Sequence, residues 1–464
     1  LLVKSQGLVY ADMPTSSDKV TYWPDDRYYS FTREEIELIK KAGKDVFDMC
    51  REAAEYLVKN KDDVLKKMGI PEFALDQVKK SWDRDWGSVY GRFDVCFGGL
   101  DNPDPRLRVP KFYEFNADTP TSLVEAANIQ WQWLEQTGHG NDQFNSIAKK
   151  LIAAWERNLP LIEEHVGHEV TVHFAHSKDP SGEDMMNTML MMDTCQQAGW
   201  STRSMFMEQV SKGSDGRFYD QHGEHIDVIF KLYPWDWMVQ EDFAQACFND
   251  MGRVGGTLWI EPPYKMLWSN KALFAILWEL FQDDPRSKWL LPTYFENEKP
   301  ASLTRYARKP IFSREGWGVV LEDDGRVIQD ETTNMYGKEG YIVQELSLPA
   351  TFEAGDGTVM HAVPGLWVVD GQAAGVGIRE DKGPVTTFFS VFAPHSIEDG
   401  PVRYARCPVP SLEEIEASLN VGKGLVAQGV VDIPDCIFDI GNGSNERCTS
   451  CAGVGVDVAQ ETVS

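Results

Sequence analysis

The chain has 464 residues, 42% of them hydrophobic and 25% charged, with a formal net charge of −27. These proportions describe a globular protein of roughly two to three domains. The acidic balance argues against nucleic acid or an anionic membrane as the main partner, since both need a basic footprint. No apolar run approaches the ~20 residues of a membrane span.

Residues 1–30 are polar and aromatic with two prolines and read as mostly irregular; they lack the basic and apolar regions of a secretion signal. Thr32 to Glu35 form a capping box, which predicts a helix to about Lys59, with Ile36, Ile39, Val46, Met49, Ala53 and Leu57 along one side. Helical pieces follow at about Asp62–Met68 and Glu72–Asp83. Ser88–Gly98 alternates as a strand, with Arg92 and Asp94 on one face. The proline-rich run from Leu100 to Pro110 is a loop. Lys111–Glu125 is expected as a short strand running through a polar turn into a helix, with Glu114 and Asn116 on one face of the strand and Tyr113 and Phe115 on the other. Thr119 and Pro120 then suit the start of a helix to about Gln136, and Asp118 is assigned a turn or cap role.

A further helix is predicted at about Asp142–Glu164. Residues 168–260 read as α/β, with strands at Glu169–Ala175 and Ile226–Leu232 and helices at Glu183–Ala198 and Glu241–Asp250. Ser269–Gln282 is a strongly apolar helix with Lys271 in its first turn. From 300 to 400 the composition turns to glycine and β-formers, which suggests an antiparallel sheet with strands at Lys309–Phe312, Gly318–Leu321, Tyr341–Gln344, Gly365–Val369 and Thr386–Phe392. A capped helix is expected from Ser411, followed by a Gly/Ser/Asn-rich tail. The expected divisions are an N-terminal region over 1–165, an α/β region over 166–260, a nucleotide-binding region over 261–410 and a terminal helix and tail over 411–464.

If the first two strands are neighbours, Arg92, Asp94, Glu114 and Asn116 converge. Two carboxylates and an amide oxygen suit Mg²⁺, which takes one or two carboxylates alongside water and phosphate oxygens. The same four residues are also compatible with a satisfied buried polar network or a solvated sheet face. Lys271, Lys309 and Arg379 are candidate phosphate contacts, although taken singly each fits a surface cation better. The loop Ser313 to Gly318 can turn backbone N–H groups toward phosphate but matches no Walker or dinucleotide fingerprint. Six of the eight cysteines are scattered, which fits a reducing cytoplasm. Cys448 and Cys451 form a lone CxxC whose metal or redox role stays open.

Six segments occur in one order: RFD at 92–94, YEFNADTPTSLVEA at 113–126, WIEPPYKMLWSNKALFAILWELF at 259–281, KPIFSREGWGV at 309–319, YIVQEL at 341–346 and AGVGIRED at 374–381. Together they resemble the synthetase part of the glutathionylspermidine synthase family, over about residues 20 to 405. The resemblance is to stand-alone synthetase-like members, because the amidase domain of the bifunctional members is not apparent. It implies an α+β or α/β chain of ATP-grasp architecture, with a pre-ATP-grasp-like α/β region and an antiparallel nucleotide-binding region. It implies an ATP- and Mg²⁺-dependent carboxylate–amine ligase working through an acyl phosphate, with glutathione and a polyamine as small-molecule substrates. Carried over by motif, Arg92 resembles the catalytic arginine, and Asp94, Glu114 and Asn116 the Mg²⁺ ligands. Lys271, Lys309, Gln344 and Arg379 resemble ATP contacts, and Thr119 a contact to the peptide substrate. The proline-rich run before Glu114, KLYPWDW at 231–237 and Trp317 depart from the family pattern. They leave two alternatives open: a ligase for another peptide–amine pair, or a protein that kept the fold and lost the reaction.

Overall fold

The computed structural model describes residues 2–11, 22–24, 27–84, 87–333, 335–353, 358–398 and 405–406. The helix expected from Ser411, the tail, and Cys448 with Cys451 lie outside the described residues.

Strand β1 (Arg27–Phe31) leads into the long helix α1 (Arg33–Val58). The predicted capping box is present: Glu35 N donates to Thr32 Oγ1 at 3.3 Å and Thr32 N to Glu35 Oε2 at 2.9 Å. The other Glu35 oxygen accepts the N–H of Leu100 at 2.8 Å, so the same side chain fixes the loop after the next strand. Strands β2 (Tyr90–Cys96) and β3 (Lys111–Asn116) follow. Helices α2 (Gln130–Thr137) and α3 (Ile147–Val166) pack behind them.

Next come β4 (Thr171–His176), α4 (Glu183–Gln197), β5 (Ser201–Phe206), β6 (Val228–Leu232) and β7 (Leu258–Ile260). They form a wholly parallel sheet in the order β5-β4-β6-β7. Strand β6 is buried along its whole length, as a parallel strand covered on both faces should be. Lys231 within it is the polar exception.

The apolar helix α5 (Ala272–Phe281) packs against α1 and against an antiparallel sheet. That sheet comprises β8 (Thr293–Phe295), β9 (Arg305–Pro310), β10 (Val320–Asp323), β11 (Arg326–Asp330) and β12 (Tyr341–Glu345), ordered β8-β12-β9-β10-β11. Finally β13 (Ala350–Glu353), β14 (Val359–Val369), β15 (Gln372–Asp381) and β16 (Val391–Ala393) join β2 and β3. The main path of this sheet is β16-β15-β14-β2-β3, with β13 on the outer half of β14. The molecule is thus a mixed α/β fold with one parallel sheet and larger antiparallel ones.

Three local expectations change. Residues 117–122 are irregular, with Ser122 in the left-handed region, and the helix begins at Leu123 with a π-helical segment at Glu125–Ile129, not at Pro120. Leu123 N is capped from afar by Asn187 Oδ1 at 2.9 Å, and Thr119 bonds back to Asn116 instead. A bulge opposite Asp94 and Val95 leaves Tyr113 outside the paired register, so Phe112 and Phe115 share the core face and Tyr113 turns with Glu114 toward a cleft. Strands β1, β5, β7, β8, β11, β13 and β15 fall outside the expected ones. Strand β15 carries the glycines of AGVGIRED.

Candidate active site

Strands β2 and β3 are antiparallel neighbours, with Arg92 opposite Asn116 and Asp94 opposite Glu114. The strands are thus the neighbours that convergence requires, and Arg92, Asp94 and Glu114 come together while the Asn116 amide turns into the following loop. Asp94 is buried and accepts Arg92 Nε on one oxygen at 2.9 Å and Arg379 on the other. Burial favours the neutral acid, but the Arg379 and Arg92 charges outweigh it and hold the carboxyl down to about 2. Arg92 also donates to the Thr121 carbonyl at 2.6 Å. Its stem lies across Gly365 of β14: a Cβ there would stand 2.7 Å from Arg92 Cδ, so only glycine leaves the path open.

Asp94 and Glu114 open onto a cleft that Tyr113, Lys271, Lys309 and Gln344 also line. Glu114 is paired with Lys271 Nζ at 3.0 Å. Lys271 stands at the start of α5 and also donates to the Ser313 carbonyl at 2.7 Å. Lys309, at the end of β9, donates to Gln344 Oε1 at 2.7 Å and lies over the Tyr113 ring. Burial first, with help from the neighbouring Lys271 charge, brings the Lys309 ammonium down to about 8. Gln344 is fully buried, and its amide also reaches Thr293 Oγ1 at 3.2 Å. Ala307, Val319, Leu321, Leu346, Leu348 and Val363 make the cleft's apolar wall. Ser313 to Gly316 contribute to its lining, with Glu315, Gly316 and Gly318 all in the left-handed region.

Not every expected residue faces the cleft. Asn116 Oδ1 accepts from Thr119 N at 3.1 Å and Ser269 Oγ at 3.3 Å, so its amide holds the loop that follows β3. Thr119 is buried in that loop, with its carbonyl accepting Asn116 Nδ2 at 3.3 Å. Asp118 does more than shape a turn: it pairs with buried Lys231 at 2.8 Å and accepts the N–H of Trp235 at 2.7 Å.

A second group of acids escaped the sequence reading. Glu125 is buried and accepts the hydroxyls of Tyr10 at 2.9 Å and Tyr22 at 2.5 Å. Half-buried Glu183 and Asp184 open α4 nearby. Burial, then the charges of Glu125, Asp184 and Glu315, push Glu183 up to about 8. Burial, then Asp179 and Glu315, push Asp184 up to about 6. In sequence this pair is an ordinary acidic first turn favoured by the helix dipole. Only the tertiary fold gathers it with Glu125 and Glu315.

Residues 2–398 match the family model described as glutathionylspermidine synthase preATP-grasp. The chain belongs to this family. A relative from Haemophilus influenzae, named as a putative acid–amine ligase, is 34% identical over 398 residues, covering 84% of this chain and 94% of that protein. A trypanothione synthetase from Crithidia fasciculata is 26% identical, covering 76% of this chain and 53% of its own. A bifunctional glutathionylspermidine synthetase/amidase from Escherichia coli is 26% identical, covering 77% of this chain and 57% of its own. The chain therefore spans little more than half of these last two proteins. As a member of the glutathionylspermidine synthase family it is an ATP-dependent ligase. Among the described residues, no helix is long and apolar enough to cross a membrane.

Proposed function

We propose that the protein joins a carboxylate to an amine through an acyl phosphate, using ATP and Mg²⁺. The observation that carries this reading is the convergence of four cations, Arg92, Arg379, Lys271 and Lys309, on two facing carboxylates beside an apolar cleft. The clustered cations suit a polyphosphate, and the apolar wall suits a base.

Among the described residues, no three His, Cys, Asp or Glu side chains come close enough to hold a metal by themselves. Asp94 and Glu114 directly opposite one another still fit Mg²⁺, which commonly takes two protein carboxylates and completes its shell with phosphate oxygens and water. Asn116 joins them only by giving up one of its loop bonds. When bound, the ion would neutralise the charge of the transferred phosphoryl group.

In the first step a substrate carboxylate oxygen attacks the γ-phosphorus and ADP leaves. In the second the amine nitrogen attacks the acyl carbon and phosphate leaves, carrying the proton that the amine gives up. Lys271 and Lys309 hold the phosphates, with Gln344 fixing Lys309 in place. Arg92 and Arg379 face the charge that builds at the phosphoryl group. No protein nucleophile is required, and positioning supplies the rate.

The acids around Glu183 favour a cationic amine as acceptor, because a bound cation relieves their mutual repulsion. Glutathione and a polyamine are the pair we propose first, with Thr119 on the peptide side. The four buried cysteines that are free among the described residues support a reducing cytoplasmic setting. The test is an ADP-release screen crossing thiol peptides with polyamines. Release only when both are present supports the ligase; ATP binding with no release for any pair supports a protein that retains the fold without the reaction.

A further inference from the structure

The loop after β9 is tied down at two points. Lys271 holds the Ser313 carbonyl, and the next residue, Arg314, lines the cleft and reaches from it to the short helix after the parallel strand β6. There its guanidinium meets the Asp236 carboxylate in a two-pronged bridge, Nη1 to Oδ2 at 2.9 Å and Nη2 to Oδ1 at 2.5 Å, with the Trp237 ring 5.4 Å away. Asp236 is buried on the short helix Trp235–Met238. That helix is itself pinned, because Trp235 N donates to Asp118 Oδ2, and Asp118 also holds Lys231. The bridge thus runs from a loop of the antiparallel sheet to the end of the parallel sheet, and its socket is fastened two residues beyond Asn116.

The loop has glycines at the positions where its backbone turns. Gly316 and Gly318 have left-handed backbones, and Glu315 between Arg314 and Gly316 adopts one too. A Cβ on Gly316 would stand 2.5 Å from the Thr386 carbonyl, so the loop seats closely on residues 385–386. Of these contacts only the Arg314–Asp236 bridge and the Lys271 bond join it to the phosphate side of the cleft through charged side chains.

We propose that Asp236 is a positioning residue whose bridge to Arg314 latches the 313–318 loop closed over the cleft and sets how long nucleotide stays. The paired planes of guanidinium and carboxylate give the closed loop one orientation, which a single-point contact would not. With the latch broken, the loop swings on its glycines, the triphosphate is released sooner, and the Lys271–Ser313 contact no longer holds a fixed roof over Glu114.

This rests on the nucleotide reading of the cleft, and the experiment separates the two. Dissociation of a fluorescent ATP analogue with Mg²⁺ is followed on mixing with excess ATP, for the native protein, Asp236→Asn, Arg314→Gln and the double variant. The latch predicts release at least about tenfold faster in each single variant. It predicts a double variant no faster than the singles, because both remove the same bond. Asp236→Glu should recover slow release. If Asp236→Asn does not fold, Arg314→Lys, which keeps the charge but loses the second prong, replaces it and should release faster. Unchanged release in the single variants, or effects that add in the double, overturns the latch while leaving the nucleotide reading intact. A native protein that binds no ATP analogue overturns both.

Discussion

Single side chains set the chemistry of the cleft, and two of them give direct tests. Glu114 is the exposed member of the carboxylate pair, so Glu114→Ala should lower ligase turnover by about 100-fold or more while leaving the thermal melt nearly unchanged. Turnover at the native rate in that variant removes the metal assignment. Lys309 is brought down to about 8 by burial. Its charged form is the one that binds phosphate, so ATP affinity should fall as pH rises through about 8, and titration calorimetry at pH 7 and 9 with Lys309→Met should show the dependence flattened. At this scale the sequence was legible where function sits on regular strands: the period-two pattern put Arg92 with Asp94 and Glu114 with Asn116. It was not legible for Tyr113, because a bulge is a property of two strands read together, nor for Glu183 and Asp184, whose partners lie far away in the chain.

The pairing of elements explains why those side chains converge. Strand β2 has β3 on one side and β14 on the other, so the Arg92–Asp94 face is flanked by Glu114 and by a glycine. Gly365→Ala should therefore displace Arg92 and reduce kcat with little change in substrate KM, since the methyl meets the Arg92 stem at 2.7 Å. A variant with native kcat would show that Arg92 has room to spare. Asp94→Asn leaves two arginines facing each other without their counter-charge, and breaking such a buried pair costs about 3–5 kcal/mol, visible as a lower midpoint in urea. The pH sign follows from the depressed carboxyl: Asp94 stabilises the fold above its ordinary value near 3.8, and that contribution is lost as pH falls toward about 2. The Asn variant should lack this part of the acid transition. Capping boxes and apolar runs revealed α1 and α5 from the sequence alone. The start near Pro120 is not met because residues 117–123 are held by the Asn116 side chain just before them and by distant Ser269 and Asn187, contacts that no helix-start signal records.

Across the whole molecule, a net charge of −27 surrounds a cleft whose lining sets Lys271, Lys309 and Arg314 among Asp94, Glu114, Glu315 and Glu345. Such a field draws a cationic amine and resists an anionic nucleotide, so raising salt from 20 to 150 mM (roughly 20 to 8 Å of Debye length) should slow polyamine association and speed that of ATP. Stopped-flow rates that move together in one direction would contradict this. The mixed α/β class was legible from the alternating patterns, but the joining of β2 and β3 to strands near residue 370 was not, since no local pattern records which distant strand will be the neighbour. That joining has a consequence in time. Asp94 and Arg379 are 285 residues apart, and at ordinary ribosomal speeds the first waits roughly 15 to 60 s for the second to be made. During that interval β2 has one open edge and a buried carboxylate without one of its cations. A nascent chain of this protein should therefore be most dependent on chaperones after its parallel sheet has formed and before β14 and β15 emerge, and the ligase site should appear last, all at once.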